Sequence, residues 1–600
     1  MKGKSRSALH RNDVLKRKAL PLAIGLLACG AAGTAWAQAT NGTIYGTVPA
    51  APGEFIQITS GSGFNRSIPV SASGRYSITL PVVSYTVSLL QGGKVVQSRT
   101  GVTPAAAGAV AVDFASTAGA PANAVNLNAI KVTANATPPI DVTTTNQVTT
   151  ITSKQLQQLP LARTAEDIAL LAPGVNMGSP ELGTGPLGTP MNVFGGASTA
   201  ENAYYVDGMN VTEALNNSGG VTLPYGAIDQ QQTYISGYDA RYGRSIGGVI
   251  NQIGKSGTND WHFGARVLWQ PASLRARPDN LRYANPLLAG DPVYSPGDLA
   301  VYRNADRAQE TIYDAYVSGP LIKDKLFFFL SAEKDDSRYR NTPEFGNGVT
   351  SLFSVHDPKL FGKLNWNIND SNVLTLSYLQ NAHQTQGTYY DFDYNTLQKG
   401  AFAYLGQYNK TVFKMGVLNY TSYLTDDITL NATYGKMHGQ YYSTQPAYPG
   451  YDPELPHIAS ASLQDPRFAP PGGIINAQSN STLADPDHRE SITNYRLSLD
   501  WKLGSHDLQV GIDNINSYDI NDGSQDTGPG YQWMYGATGP GVPVFGTDPN
   551  IPPYVAPSTQ CYQGTCYYVQ KHTDLSVATV RVTQRAQYVM DNWQVTPNRC

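Results

Sequence analysis

Tyr495-Arg496-Leu497-Ser498-Leu499-Asp500-Trp501-Lys502-Leu503 is the stretch on which the fold turns. Every second residue is apolar and every residue between is polar, the two-residue period of a strand with one face against an apolar medium. The run repeats after Gly504-Ser505, where Leu508, Val510 and Ile512 alternate with Gln509, Gly511 and Asp513. Upstream, Ile428, Leu430, Ala432 and Tyr434 alternate with Thr429, Asn431 and Thr433. Past Trp261 about ten such strands can be traced, most of about 9–12 residues, the length that a tilted membrane-crossing strand needs.

Soluble sandwiches alternate too, so the connections carry the discrimination. Four are short, at Lys323-Asp324-Lys325, 369–372, 425–427 and 504–507. Between them lie stretches read as long loops, at 271–309, 337–358, 382–410, 438–493 and 519–580. A sheet that crosses a bilayer sends successive connections to opposite sides, and in outer-membrane barrels one side has tight turns and the other large loops. Trp269, Trp366, Trp501 and Trp593, near strand ends, suit interfacial aromatic girdles.

Composition narrows the alternatives. A chain of 600 residues holds several domains. Only 14% of its residues are charged, and Gly (58) and Tyr (37) are abundant. No uncharged apolar run of about 20 residues follows the first 40, which excludes a helical membrane bundle. With 42 Lys+Arg against 45 Asp+Glu there is no basic footprint for nucleic acid, and four cysteines exclude a Cys-rich scaffold.

The first 37 residues read as an export signal: Lys16, Arg17 and Lys18, an apolar core over 19–29, then Ala35-Trp36-Ala37, with cleavage between Ala37 and Gln38. A membrane anchor, or lipoprotein processing at Leu26-Leu27-Ala28-Cys29, is the alternative. Residues 1–37 hold seven Lys/Arg and one Asp, so removing their +6 from −3 leaves an acidic chain of −9. Residues 38–115 carry five short strand-like runs at sandwich spacing. A linker over 116–135 is rich in Ala, Gly and Pro at its start. Residues 136–258 open with two short helices, 154–159 and 163–171, then turn glycine-rich; so little core implies a surrounding scaffold. Residues 259–600 are the strand-rich remainder.

Several motifs resemble the TonB-dependent outer-membrane receptors, specifically their Oar-like branch. Ser73-Gly74-Arg75-Tyr76-Ser77-Ile78 resembles the carboxypeptidase-regulatory-like sandwich that precedes the plug in that family. Leu171-Ala172-Pro173-Gly174-Val175 and Tyr204-Tyr205-Val206-Asp207-Gly208 resemble its plug, as does Arg241-Tyr242-Gly243-Arg244 through Gly247-Gly248-Val249-Ile250-Asn251. Leu321-Ile322-Lys323-Asp324-Lys325-Leu326-Phe327-Phe328-Phe329 resembles an early barrel hairpin. The resemblance implies a mainly β protein with an N-terminal β-sandwich, an α/β plug and a transmembrane antiparallel β-barrel. About ten of about 22 strands would be present, too few to enclose the plug, so the chain is expected to be C-terminally truncated with an open sheet edge.

Candidate sites follow. Residues 127–134 alternate, are β-prone and suit a strand offered to a partner's sheet edge; Ile130, Lys131, Val132, Thr133 and Ala134 resemble the TonB box, with an ordinary strand or linker as the alternative. Asp207 is read first as a turn residue, and Asp207, Asp239, Arg241, Arg244 and Lys255 are candidates for plug–barrel contacts. Cys561 and Cys566, in the last long loop, are read as a small disulfide loop. The Asp/Asn-rich stretch 519–526 is read as a solvated loop rather than a calcium site.

Two enzyme patterns, the G-x-S-x-G of Gly243 to Gly247 and the glycine pattern of Gly183 to Gly188, lack the strand and helix such motifs need. No catalytic residue, metal or cofactor is expected. The resemblance implies a transporter of the Gram-negative outer membrane, its sandwich and plug on the periplasmic side. Its implied partners are TonB with its inner-membrane complex, outer-membrane lipid, the barrel-assembly machinery and a ligand; the Tyr-rich loops suit peptide or glycan. A surface adhesin or an export conduit is the alternative.

Overall fold

The structure is a computed structural model that describes residues 41–114, 132–133 and 147–593. Short stretches fall outside that description, at 49–53, 72–73, 106–107, 160–162, 179–183, 190, 214–216, 239, 244, 284–296, 343–347, 477, 479–480, 547–549 and 574. The expected export signal, with Ala37 and Gln38, lies outside the described residues. Among the described residues no helix is long and apolar enough to cross a membrane.

The first unit is a sandwich. One sheet has the order β4 (Arg75–Pro81), β1 (Asn41–Thr47), β7 (Ala109–Ala111). The other runs β3 (Asn65–Pro69), β2 (Glu54–Ser60), β5 (Tyr85–Gln91), β6 (Lys94–Val102), with β8 (Val132–Thr133) outside β6. Alternate residues point inward, and Ile44, Ile56, Ile58, Ile78, Leu80 and Val87 form its buried core. Two strands escape sequence reading. β3 has a single buried apolar residue, Ile68, and β6 is largely exposed.

The second unit begins at β9 (Gln147–Thr152) and α1 (Ser153–Gln158). Thr152 Oγ1 caps α1 while Gln155 Oε1 takes the Thr152 N–H, a reciprocal cap. α2 (Ala165–Ala169) starts at the Thr164 cap and is shorter than expected, because the chain leaves the helix in tight turns toward Gly174, whose φ is +84°. β10 (Val175–Met177) pairs with β11 (Asn192–Phe194). A five-stranded sheet then joins β13 (Met209–Asn210), β12 (Ala203–Val206), β15 (Val249–Gly254), β14 (Ile228–Ser236) and β9 in that order.

The third unit is one wall. After β16 (His262–Gln270) and a loop hairpin of β17 (Leu281–Arg282) and β18 (Leu299–Val301), antiparallel neighbours follow in chain order. They are β19 (Ala308–Ile322), β20 (Leu326–Asn341), β21 (Val349–Asn369), β22 (Asn372–Asp393), β23 (Gln398–Tyr423) and β24 (Ile428–Thr444). A long connection carries β25 (His457–Ala459) and β26 (Thr482–Ala484) to β27 (Arg489–Leu503) and β28 (His506–Asp526). Another carries β29 (Gln532–Thr538), β30 (Pro543–Val544), β31 (Tyr554–Val555) and β32 (Cys566–His572) to β33 (Leu575–Trp593). Among the described residues β16 and β33 are the edge strands.

The wall is inside out relative to a soluble sheet. In β27, Asn494, Arg496 and Ser498 are buried, while Trp501 is 42% exposed. Leu364, Leu376, Leu418 and Tyr434 pair across four adjacent strands and all stay exposed. That is an apolar belt turned to lipid.

Two expectations need correcting. The wall strands are mostly longer than 9–12 residues: β19 has 15 and β23 has 26. They run through two of the expected long loops, leaving only 342–348 and 394–397 as connections. Tyr389 and Tyr390 therefore lie in β22, and Tyr441 and Tyr442 in β24. Once both faces leave lipid the apolar alternation fades although the ladder continues; Tyr389 stacks on Tyr404 at 4.4 Å across it. Residues 519–526 are likewise strand, at the end of β28, where Asp519 takes a hydrogen bond from His488.

Candidate functional site

The second unit cannot close its own core. Its cluster of Leu156, Ile168, Phe194, Val206, Leu223 and Ile250 is completed by Phe361, Leu379, Met415, Met437 and Ile492. These five are mutually paired residues on the inner face of β21, β22, β23, β24 and β27. This apolar row makes the wall part of the smaller unit's interior.

A second row of mixed character lies beside it. Lys363, Ser377, Val417, Gly435 and Asn494 also pair in sequence across five strands, and the β12–β13 hairpin lies on them. The turn is Asp207-Gly208, with φ of 45° and 85°, a left-handed pair suited to a two-residue hairpin. Asp207 is fully buried. Its Oδ1 accepts from the Gly254 N–H at 2.9 Å and Lys363 Nζ at 3.1 Å, and its Oδ2 accepts from Ser377 Oγ at 2.7 Å. Asn419 Nδ2 donates to the Asp207 carbonyl at 3.0 Å, and Arg496 Nη1 to the Gly208 carbonyl at 2.9 Å. The Asn210 N–H reaches Asn494 Oδ1 at 3.3 Å. Gly435 has to be small, since a Cβ there would stand 2.5 Å from Met209 Sδ.

A second junction is ionic. Arg163, between α1 and α2, reaches Glu333 at 2.5 Å and Asp314 at 3.2 Å and lies over the Tyr225 ring at 4.4 Å. Lys359 also pairs with Glu333, at 3.0 Å, and Arg266 with Asp314, at 2.8 Å. Glu333 further accepts the Tyr225 N–H at 3.0 Å. Nearby, Asn381 donates to the Thr222 carbonyl and accepts the Thr222 N–H, at 3.0 and 2.8 Å. Glu166, in α2, is buried, and burial pushes its carboxyl up to about 7.

The sandwich sits on the short-turn end of the wall. Arg66 pairs with Asp426 at 2.8 Å and covers the Tyr423 ring at 4.7 Å. Lys502 Nζ donates to Ser77 Oγ at 2.7 Å, and Asn41 Nδ2 to Asn431 Oδ1 at 2.6 Å. Val82 packs on Ile253 of β15, so the sandwich touches both other units. At the opposite end the two long connections share a three-stranded sheet, β25-β29-β32, and Cys561 is disulfide-bonded to Cys566 at the start of β32.

Of the other sequence candidates, Lys255 Nζ donates to the Gly226 carbonyl at 2.8 Å and faces the Tyr316 ring of β19 at 5.9 Å; burial lowers its pKa. Arg241 lies in the short turn Ala240–Tyr242, and Asp239 and Arg244 lie outside the described residues. Of 130–134 only the Val132–Thr133 backbone is described, as β8. Ser245 of the G-x-S-x-G pattern donates to the Glu201 and Gly248 carbonyls, a structural engagement. Arg163, Asn381 and Arg496 are contacts that sequence reading missed. Nothing local marks them, since each is defined by a partner more than 100 residues away.

Residues 341–598 match a family model described as an outer membrane beta barrel domain, and 141–249 match the TonB-dependent receptor plug domain. The TonB-dependent transporter Oar of Myxococcus xanthus is 24% identical over 348 residues, 56% of this chain and 30% of that protein. The chain thus spans less than a third of that relative's length. Similar solved structures include the outer membrane transporter YddB from Escherichia coli, with 14% identity, 74% of this chain and 54% of that one covered, and a TM-score of 0.45. Another is a variant of the ferric enterobactin receptor PfeA from Pseudomonas aeruginosa, with 13% identity, 75% and 55% covered, and a TM-score of 0.43. With its hairpin seated on the inner face of an inside-out β-wall, the chain joins a TonB-dependent receptor plug domain over 141–249 to an outer-membrane β-barrel domain over 341–598, a protein of the Gram-negative outer membrane.

Proposed function

We propose that the whole protein is a TonB-dependent transporter that carries a ligand across the outer membrane with energy delivered from the inner membrane. The observation that carries this reading is the anchoring of the plug by separate polar contacts, Asp207 on Lys363 and Ser377 and Arg163 on Glu333. Such contacts hold a buried unit in place, yet they can be exchanged for water one at a time when the plug is strained. In this reading the short turns and the docked sandwich, a carboxypeptidase-regulatory-like module, face the periplasm. The β25-β29-β32 sheet then stands on the outer side, where its Tyr-rich surroundings suit a peptide or a glycan.

Residues 130–134 serve as the TonB box. They precede β9, which among the described residues has one neighbour, β14, and forms the edge of the plug sheet. Tension applied there meets the edge first and the Asp207 hairpin, on the far side of the same sheet, last. No step in this reading asks the chain for catalysis. Deleting 128–134 is expected to abolish energised uptake while surface ligand capture persists. Uptake at the wild-type rate would refute the reading, and cargo moving outward would make the protein an export conduit.

A further inference from the structure

We propose that the free edge of β6 is a docking site for the chain's own coupling segment, so that the sandwich and TonB compete for it. This rests on reading 130–134 as the TonB box. β8 pairs in parallel with β6, Arg99 beside Val132 and Thr100 beside Thr133. Without β8, β6 would end its sheet, whose order is β3-β2-β5-β6-β8. The attachment point is also where β6 parts from β5. Tyr85 pairs with Val102 and Val87 with Arg99, so Thr100 and Gly101 together face one β5 residue. A bulge of this kind twists the strand and disrupts its ladder locally. Thr100 is therefore poorly engaged on the β5 side, where β8 meets it on the other.

The docked sandwich gives this edge a fixed place. Arg66 on Asp426 and Tyr423, Lys502 on Ser77, and Asn41 on Asn431 hold the module at the short-turn end. β8 follows β7 in the same chain, 20 residues on, so the segment meets β6 intramolecularly, at an effective concentration on the order of millimolar. Among the described residues the pairing spans two, and a partner strand that pairs over a longer stretch displaces it. If the segment is docked about nine-tenths of the time, the apparent affinity for TonB falls about tenfold. A β-prone segment is also kept from pairing indiscriminately.

The test uses the full chain in detergent and the purified periplasmic domain of TonB. Thr100→Pro removes a main-chain donor from the edge and is expected to tighten TonB binding about tenfold. In a Cys600→Ser background, Thr100→Cys with Thr133→Cys is expected to cross-link under copper phenanthroline, to lose TonB binding, and to regain it with reductant. The staple covers the case in which the proline disturbs folding. Failure of the staple to form, or a stapled chain that binds TonB as the wild type does, overturns the proposal. Deletion of 128–134 separates the two readings. Loss of TonB binding there, with no effect of either β6 change, refutes the docking and spares the TonB box. Full binding after the deletion refutes the box itself.

Discussion

The sandwich and the wall use the same two-residue period with opposite results. In β4 the apolar Tyr76, Ile78 and Leu80 are buried and Arg75, Ser77 and Thr79 are partly exposed. In β27 the polar Asn494, Arg496 and Ser498 are buried and Tyr495, Leu497 and Leu499 are partly exposed. Alternation therefore reports that the two faces of a strand meet different media, not which face is inside. Water outside the sandwich drives its apolar face inward, at roughly 25 cal/mol per Å² of apolar area. Outside the wall is hydrocarbon, so apolar side chains lose nothing by facing out, while the polar face lies against the plug's backbone and amides.

The sharpest way to break this contrast is at the buried ion pair that joins the wall to the second unit. Asp207→Ala leaves Lys363 buried without its carboxylate and is expected to cost about 3–5 kcal/mol. The plug should become accessible to trypsin while the wall keeps its sheet signal in circular dichroism. Next comes the sandwich core, where Ile58→Ala should cost about 2–5 kcal/mol by opening a cavity. Limited proteolysis of the full chain should then cut the sandwich first. On the lipid face, Leu418→Arg should cost about 2–4 kcal/mol if Leu418 lies at mid-bilayer, read as a smaller heat-modifiable fraction in outer membranes. An arginine at an exposed position of the sandwich, such as Val95, should be nearly silent.

A different kind of test is titration of Glu166. Its carboxyl is raised from 4.5 to about 7 by burial, so the folded state holds the proton more tightly than the unfolded chain. Its contribution to stability is full below about pH 4.5, falls as pH rises toward 7, and is constant above that. Melting curves at pH 5 and pH 8 should differ less for Glu166→Gln than for the parent.

What was legible in the sequence follows the same division. β27 and β24 announce themselves, because each has one face in lipid and one in a polar interior. The upper parts of β22 and β23 do not, because Tyr389, Tyr390 and Tyr404 meet similar surroundings on both faces and mimic loop composition. β6 was missed for the related reason that it lies near the sheet's edge, with Val95 and Val96 exposed. Within the site, the Asp207-Gly208 turn could be read locally, but its partners could not. Lys363, Ser377 and Asn419 converge on Asp207 only through the register of β21, β22 and β23. Arg163 is similarly mute until Glu333 and Asp314 are brought beside it by β19 and β20.

The orientation of the wall strands is the claim on which the account rests, and spin labels placed singly at 495–500 in β27 of the protein in bilayers test it most directly. The account predicts high oxygen and low nickel-chelate accessibility at 495, 497 and 499, with immobile, protected labels at 496, 498 and 500. Water-accessible labels at 496, 498 and 500 with buried ones at 495, 497 and 499, the pattern of β4, would contradict it.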